Sequence, residues 1–232
     1  MKTIGVIGAL EEEISLLKSR MEIISAKQII GVDFSMGRLD GKSVIIAGSR
    51  IGKVNAAICT QVLIDLYGVD YIINTGAAGA IDKDLQVGDV VISSDLVHHD
   101  FDVTPLGFDP GVNNSLPESS FKADDELIRI AKTACEAVIK ENNIYVGRIA
   151  TGDQFIDTSE GKQRISKLFK AYCTEMEGAA IAQTCFLNKI PFIVIRAISD
   201  KSDESALVNF NEFLQVAAKN SCEVVEHMLK ML

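Results

Sequence analysis

The chain has 232 residues, 47% of them hydrophobic, with a formal net charge of −9 and a pI near 4.9. That length and composition suffice for one substantial core, so residues 1–232 are expected to form a single domain. The acidic balance, with no Lys/Arg run, excludes a nucleic-acid backbone or an anionic membrane as the main partner, because both demand a concentrated positive face.

In chain order, "MKTIGVIGALEEE" has an apolar run too short for a membrane span and meets three acids at once, which fits no secretory signal. A cytoplasmic protein is expected. Apolar, β-rich runs then recur as "TIGVIGA", "SVIIAGS", "YIINTGA", "GDVVISS", "YVGRIAT" and "PFIVIRAIS". Their continuity predicts strands covered on both faces. Helical periodicity falls between them, at about 11–20, 53–67, 124–142, 159–170, 178–189 and 209–231. This alternation predicts an α/β fold: a three-layer sandwich with a central mixed, largely parallel sheet flanked by helices.

The longest stretch without a pattern, about 100–121, carries three of the four prolines, and a loop of that length in a compact domain is usually functional or an interface. The five cysteines stand far apart with no C-x-x-C pair, which predicts reduced, buried thiols.

"GSRIGKV" (48–54) resembles a phosphate loop but has three residues between its glycines and Val54 where a Mg²⁺-binding hydroxyl is required. "GVIGAL" lacks the middle glycine of a dinucleotide fingerprint and runs into Glu11, Glu12 and Glu13, which would repel a pyrophosphate. His98 and His99 have no companion carboxylate at metal-binding spacing, so no metal and no cofactor are expected. No G-x-S-x-G elbow supports a serine hydrolase.

In open α/β sheets ligands sit beyond the carboxyl ends of strands, where "GALEEE", "NTGAAGA", "ATGDQF", "TEMEG" and "RAISD" all fall. Helix N-terminal acids are favoured by the macrodipole without any function, yet one of the three glutamates can still face the crevice. Arg196 and Asp200 end an otherwise apolar strand; they form either a structural ion pair or part of a site. With Glu175 and Glu177 nearby, crowded carboxylates would separate into an acid and an ionised partner. Phe155 either plugs the core or stacks on a ligand.

Together "IGVIGALEEEI", "IGKVNAA", "INTGAAGA", "HHDFDVTPLGF", "TGDQFI", "TEMEGAAIA" and "PFIVIRAISD" resemble, in order and over nearly the whole chain, the 5'-methylthioadenosine/S-adenosylhomocysteine nucleosidases of the nucleoside phosphorylase superfamily. The resemblance implies hydrolysis of the adenine–ribose bond, in methionine salvage and removal of a methyl-cycle by-product. It assigns Glu13 to the attacking water and Asp200 to protonation of adenine N7. Glu177 would bind the ribose hydroxyls, Met176 the sugar face, Phe155 the base and the Ile156 backbone its Watson–Crick edge. Arg196 would orient the carboxylates, Val103 and Phe210 would border the 5' pocket, and Ile51, Ala77, Gly79, Glu175 and Ser199 would complete the substrate-binding set.

A homodimer is implied as well, with part of the loop near Leu116 and Pro117 completing the other subunit. The chain departs from many members at Ala77, a serine there, and at Leu106, an aromatic there. Three rivals remain: a purine nucleoside phosphorylase, a hydrolase for another 5'-substituted adenine nucleoside such as aminodeoxyfutalosine, and a non-catalytic purine-binding protein.

Overall fold

The computed structural model describes residues 2–200 and 206–232, with the backbone alone for 206–217. The first half runs β1 (Thr3–Gly8), α1 (Glu11–Arg20), β2 (Glu22–Ile29), β3 (Val32–Leu39), β4 (Lys42–Gly48), α2 (Lys53–Tyr67), β5 (Tyr71–Ala80) and β6 (Val90–His98). A 3₁₀ turn (Thr104–Leu106) and β7 (Ser120–Lys122) follow, then α3 (Asp125–Val138), β8 (Ile144–Thr151) and α4 (Ser159–Phe169). The chain closes with β9 (Cys173–Glu175), α5 (Gly178–Asn188), β10 (Phe192–Asp200) and α6 (Ala206–Met231).

The expected α/β sandwich with a mixed sheet forms, and its parallel ladders come from the continuous apolar runs. β4–β1–β5–β10 and β6–β8–β9 are parallel. Every residue of β10 is buried, as a strand covered on both faces requires. Antiparallel pairing is added by β2, β3 and β7, by β9 against β5, and by β10 against β6. β2 and β3 form a hairpin with positive φ at Ile30 and Gly31, and β3 turns into β4 through Asp40-Gly41, also both at positive φ. Such pairs of left-handed residues match the twist of the flanking strands.

Two further pairings bend the sheet. β10 lies between β5 and β6, while β9 joins β8 to the far end of β5, so β5–β10–β6–β8–β9 close into a ring. That curl brings the carboxyl ends of β1, β5, β8, β9 and β10 around one opening.

Helices α1, α3 and α6 pack together on one side of the sheet, and α2 with α5 on the other. Asp124 caps α3 by accepting from the Glu126 and Leu127 amides, and Thr158 caps α4 through the Gly161 amide. α3 stops at Val138, four residues short of the periodicity limit. There the Asn142 side chain donates to the Val87 carbonyl and the Asn143 amide to Asp89, so both are committed to the sheet side.

All five cysteines are free and buried, and burial pushes the thiols of Cys59 and Cys135 up to about 12. They are poor nucleophiles. Among the described residues no helix is long and apolar enough to cross a membrane.

Candidate active site

The ring of strand ends encloses a cavity of about 320 Å³, a size suited to a small molecule, for which pockets of roughly 300–1,000 Å³ are usual. Five segments from distant parts of the chain line it: Ala9, Leu10 and Glu13; Ala77–Gly79; Gln154–Ile156; Thr174–Glu177; Ser199 and Asp200, with Ile51 at its rim. These are the strand ends singled out in the sequence.

Of the three glutamates opening α1, Glu13 alone is buried. Its Oε2 accepts from the Ala9 amide at 2.7 Å and the Leu10 amide at 3.0 Å, and its Oε1 from the Ala77 amide at 3.1 Å. The carboxylate therefore takes up the amides at the helix N-terminus, a place that favours an anion. Glu11 turns outward to Lys18.

"GSRIGKV" is filled in the same manner. The Gly52 amide donates to Glu177 Oε1 at 2.9 Å and the Lys53 amide to Asp153 Oδ1 at 2.8 Å. Gly52 has φ +100°, and a Cβ there would stand 3.1 Å from Asp153 Oδ1. Both features favour glycine.

The two glutamates of "TEMEG" differ sharply in surroundings. Glu175 accepts from Arg196 and from the Thr151 hydroxyl, and also from the amides of Glu177 at 3.1 Å and Gly178 at 2.7 Å. Burial pushes its carboxyl up, but the Arg196 guanidinium and these donors outweigh it and hold the carboxyl below its usual range. Its oxygens are committed to the scaffold.

Glu177 has Arg196 only at 4.0 Å, and burial together with the Glu175 charge pushes it up to about 7. It is the carboxylate of the pair with capacity left for a ligand.

Arg196 is buried behind the cavity wall, donating to Asn74 Oδ1 at 2.7 Å and to Glu175. Burial alone would weaken this cation, but Glu175, Glu177 and Glu13 keep it protonated. An Arg196–Asp200 ion pair does not form. Four residues along one strand span about 13 Å, and Asp200 instead meets Lys162 of α4, whose Nζ lies 3.0 Å from Oδ2. Ser199 donates to Asp200 Oδ1 at 2.9 Å.

The other expected residues divide clearly. Phe155 is 48% exposed and so is no core plug, while Ile156 packs on a small satellite core beside Ile165 and Phe169. Met176 is half-buried on the cavity wall. Val103 is half-buried in the segment before the 3₁₀ turn and does not line the cavity. The side chain of Phe210 lies outside the described residues. His98 bonds Gln183 Oε1 at 3.0 Å, and His99 is buried against Gly152. Among the described residues no group of His, Cys, Asp or Glu could hold a metal ion.

Lys162 was missed from the sequence, although a signal existed. It falls at i, i+3, i+7 with Ile165 and Phe169 on the buried stripe of α4, where a lysine is out of place.

Comparison with known proteins agrees with this geometry. The phosphorylase superfamily matches residues 3–230. The 5'-methylthioadenosine/S-adenosylhomocysteine nucleosidase of Staphylococcus haemolyticus is 43% identical over 99% of this chain and 100% of its own length. The crystal structure of the Neisseria meningitidis nucleosidase of that name, in complex with methylthio-immucillin-A, superposes with a TM-score of 0.95 at 44% identity, covering 100% of both chains. Futalosine hydrolase of Helicobacter pylori superposes with a TM-score of 0.93 at 31% identity, covering 100% of this chain and 98% of that one.

Proposed function

The chain belongs to the phosphorylase superfamily and, within it, to the 5'-methylthioadenosine/S-adenosylhomocysteine nucleosidases, and from that premise we propose how its cavity carries out the reaction. The enzyme hydrolyses the N-glycosidic bond of methylthioadenosine and S-adenosylhomocysteine, releasing adenine and the corresponding thioribose. 5'-Deoxyadenosine, which differs only in the 5' group, is a further substrate, and the reaction serves methionine salvage in the cytoplasm.

Cleavage passes through an oxocarbenium-like sugar, so the site must supply an acid to the leaving base, a base to the water and negative charge near C1'. Asp200 donates a proton to adenine N7, and the C1'–N9 electron pair leaves with the base. Glu13, fixed by three backbone amides, orients the water and takes its proton. Glu177 accepts from the ribose hydroxyls, with Met176 against the sugar, Phe155 over the base and the Ile156 backbone at its edge. Arg196 and Glu175 brace this arrangement from behind. Ala77 contributes its amide to Glu13 and no hydroxyl to the water.

One observation carries hydrolysis over phosphorolysis: among the described residues the cavity is lined by carboxylates and by no Lys or Arg. A phosphate dianion requires cationic or amide donors, and the amides at the α1 N-terminus are already taken by Glu13. The assignment of the acid is tested by Asp200→Asn. Adenine release is expected to fall at least about a hundredfold, with binding of adenine retained in part. An unimpaired rate would show that another group is the acid, and lost binding would point to a purely structural role.

We also propose a homodimer. Ile51, Val54, Ile58, Leu106 and Leu187 are large apolar side chains at least 45% exposed, and Val54, Leu187 and Leu116 border one cavity beside the site. Light scattering should give about twice the 25.1 kDa of one chain; a monomer mass with full activity would contradict this.

A further inference from the structure

Lys162 and Asp200 form an ion pair in which both side chains are almost fully buried, at 3% and 4% exposure. Removing two charges from water is costly, and a bare scaffold contact at this place would be served as well by apolar packing. The pair instead sits where the acid must work. Asp200 faces the cavity on one side, together with Glu13 of α1 and Glu175 and Glu177 at the end of β9. Lys162 approaches it from α4 on the other side.

Behind Lys162 lies a separate polar cavity that it shares with Asp82, Lys83 and Asp84 of the turn after β5 and with Lys167 of α4. The carboxylate is thus gripped at both oxygens, Oδ1 by the Ser199 hydroxyl at 2.9 Å and Oδ2 by Lys162 at 3.0 Å. Gly79 leaves the space for this: a Cβ there would stand 3.1 Å from Oδ2.

We propose that Lys162 is a positioning residue for the acid: its ammonium holds the Asp200 carboxyl in place from behind and stabilises the anion that remains once the proton has passed to adenine. This rests on the reading of Asp200 as the acid. In the step concerned, the Asp200 proton moves to N7, the C1'–N9 bond breaks with its electrons going to the base, and the water oxygen bonds C1' while its proton goes to Glu13. Lys162 keeps its own protons throughout. Its effect on the step is made through Asp200 alone, since Lys162 does not line the substrate cavity.

The test compares wild type, Lys162→Met, Lys162→Arg and Asp200→Asn in the kcat and KM of adenine release from methylthioadenosine. In Lys162→Met, kcat should fall about tenfold with a smaller change in KM. Lys162→Arg, which retains the charge, should recover most of the wild-type kcat. A Lys162→Met enzyme with unchanged kcat would overturn the proposal while Asp200→Asn remains inactive. An active Asp200→Asn would instead remove the reading on which it rests.

Should Lys162→Met fail to fold, Lys162→Gln reads the same loss of kcat.

Discussion

Glu175 and Glu177 stand two residues apart, yet they behave as different chemical groups because of what surrounds each. Arg196, Thr151 and two amides keep Glu175 an anion, whereas Glu177 holds its proton up to about 7. The folded protein binds that proton more tightly than a free glutamate of ordinary value 4.5, so Glu177 lowers stability as pH rises from about 4.5 to about 7, and adds no further slope above that. Glu177→Gln should remove this slope, raising the melting temperature at pH 8 relative to wild type by more than at pH 5. If the ribose hydroxyls bind there, the same substitution should lower kcat/KM by about 10- to 100-fold, the loss expected for a hydrogen bond to a charged group. Thermal melts at the two pH values and initial rates check both parts; equal shifts at both pH values would contradict the first.

At the scale of elements, the site depends on how closely β5 approaches its neighbours. A Cβ at Gly76 would lie 2.6 Å from Glu13 Oε1, closer than real contacts allow. Gly76→Ala should therefore displace the Glu13 carboxylate and, on the proposed role of Glu13 toward the water, reduce kcat by about 10²-fold, the sensitivity expected of a misplaced reacting group. The fold should survive, as circular dichroism would verify. Gly76 belongs to "NTGAAGA", one of the strand ends legible in the sequence because apolar continuity, glycine and polar termini coincide there.

Other elements left weaker traces. β2 is exposed along almost its whole length, so no apolar periodicity marks it. Asp40-Gly41 is a local hairpin signal that would have marked the β3–β4 turn. β9 has three residues and owes its existence to long-range pairing with β5 and β8, which no local pattern reports. Partner choice was equally hidden: Arg196 and Asp200 are near in sequence, but their partners come from β9 and α4 through the closure of the sheet.

At the scale of the whole molecule, the closed ring of strands turns five separate chain segments into one acidic cavity, with its two buried cations placed behind the wall. Within its superfamily the chain is a hydrolase, and we propose that Glu13 commits it to water by filling the amides where an anion would bind. The most direct test of that claim is adenine release from methylthioadenosine by the purified protein in phosphate-free buffer, repeated with phosphate added. Full turnover without phosphate, yielding the free thioribose and no sugar phosphate, is the predicted result; a rate that depends on phosphate and yields the 1-phosphate would contradict it.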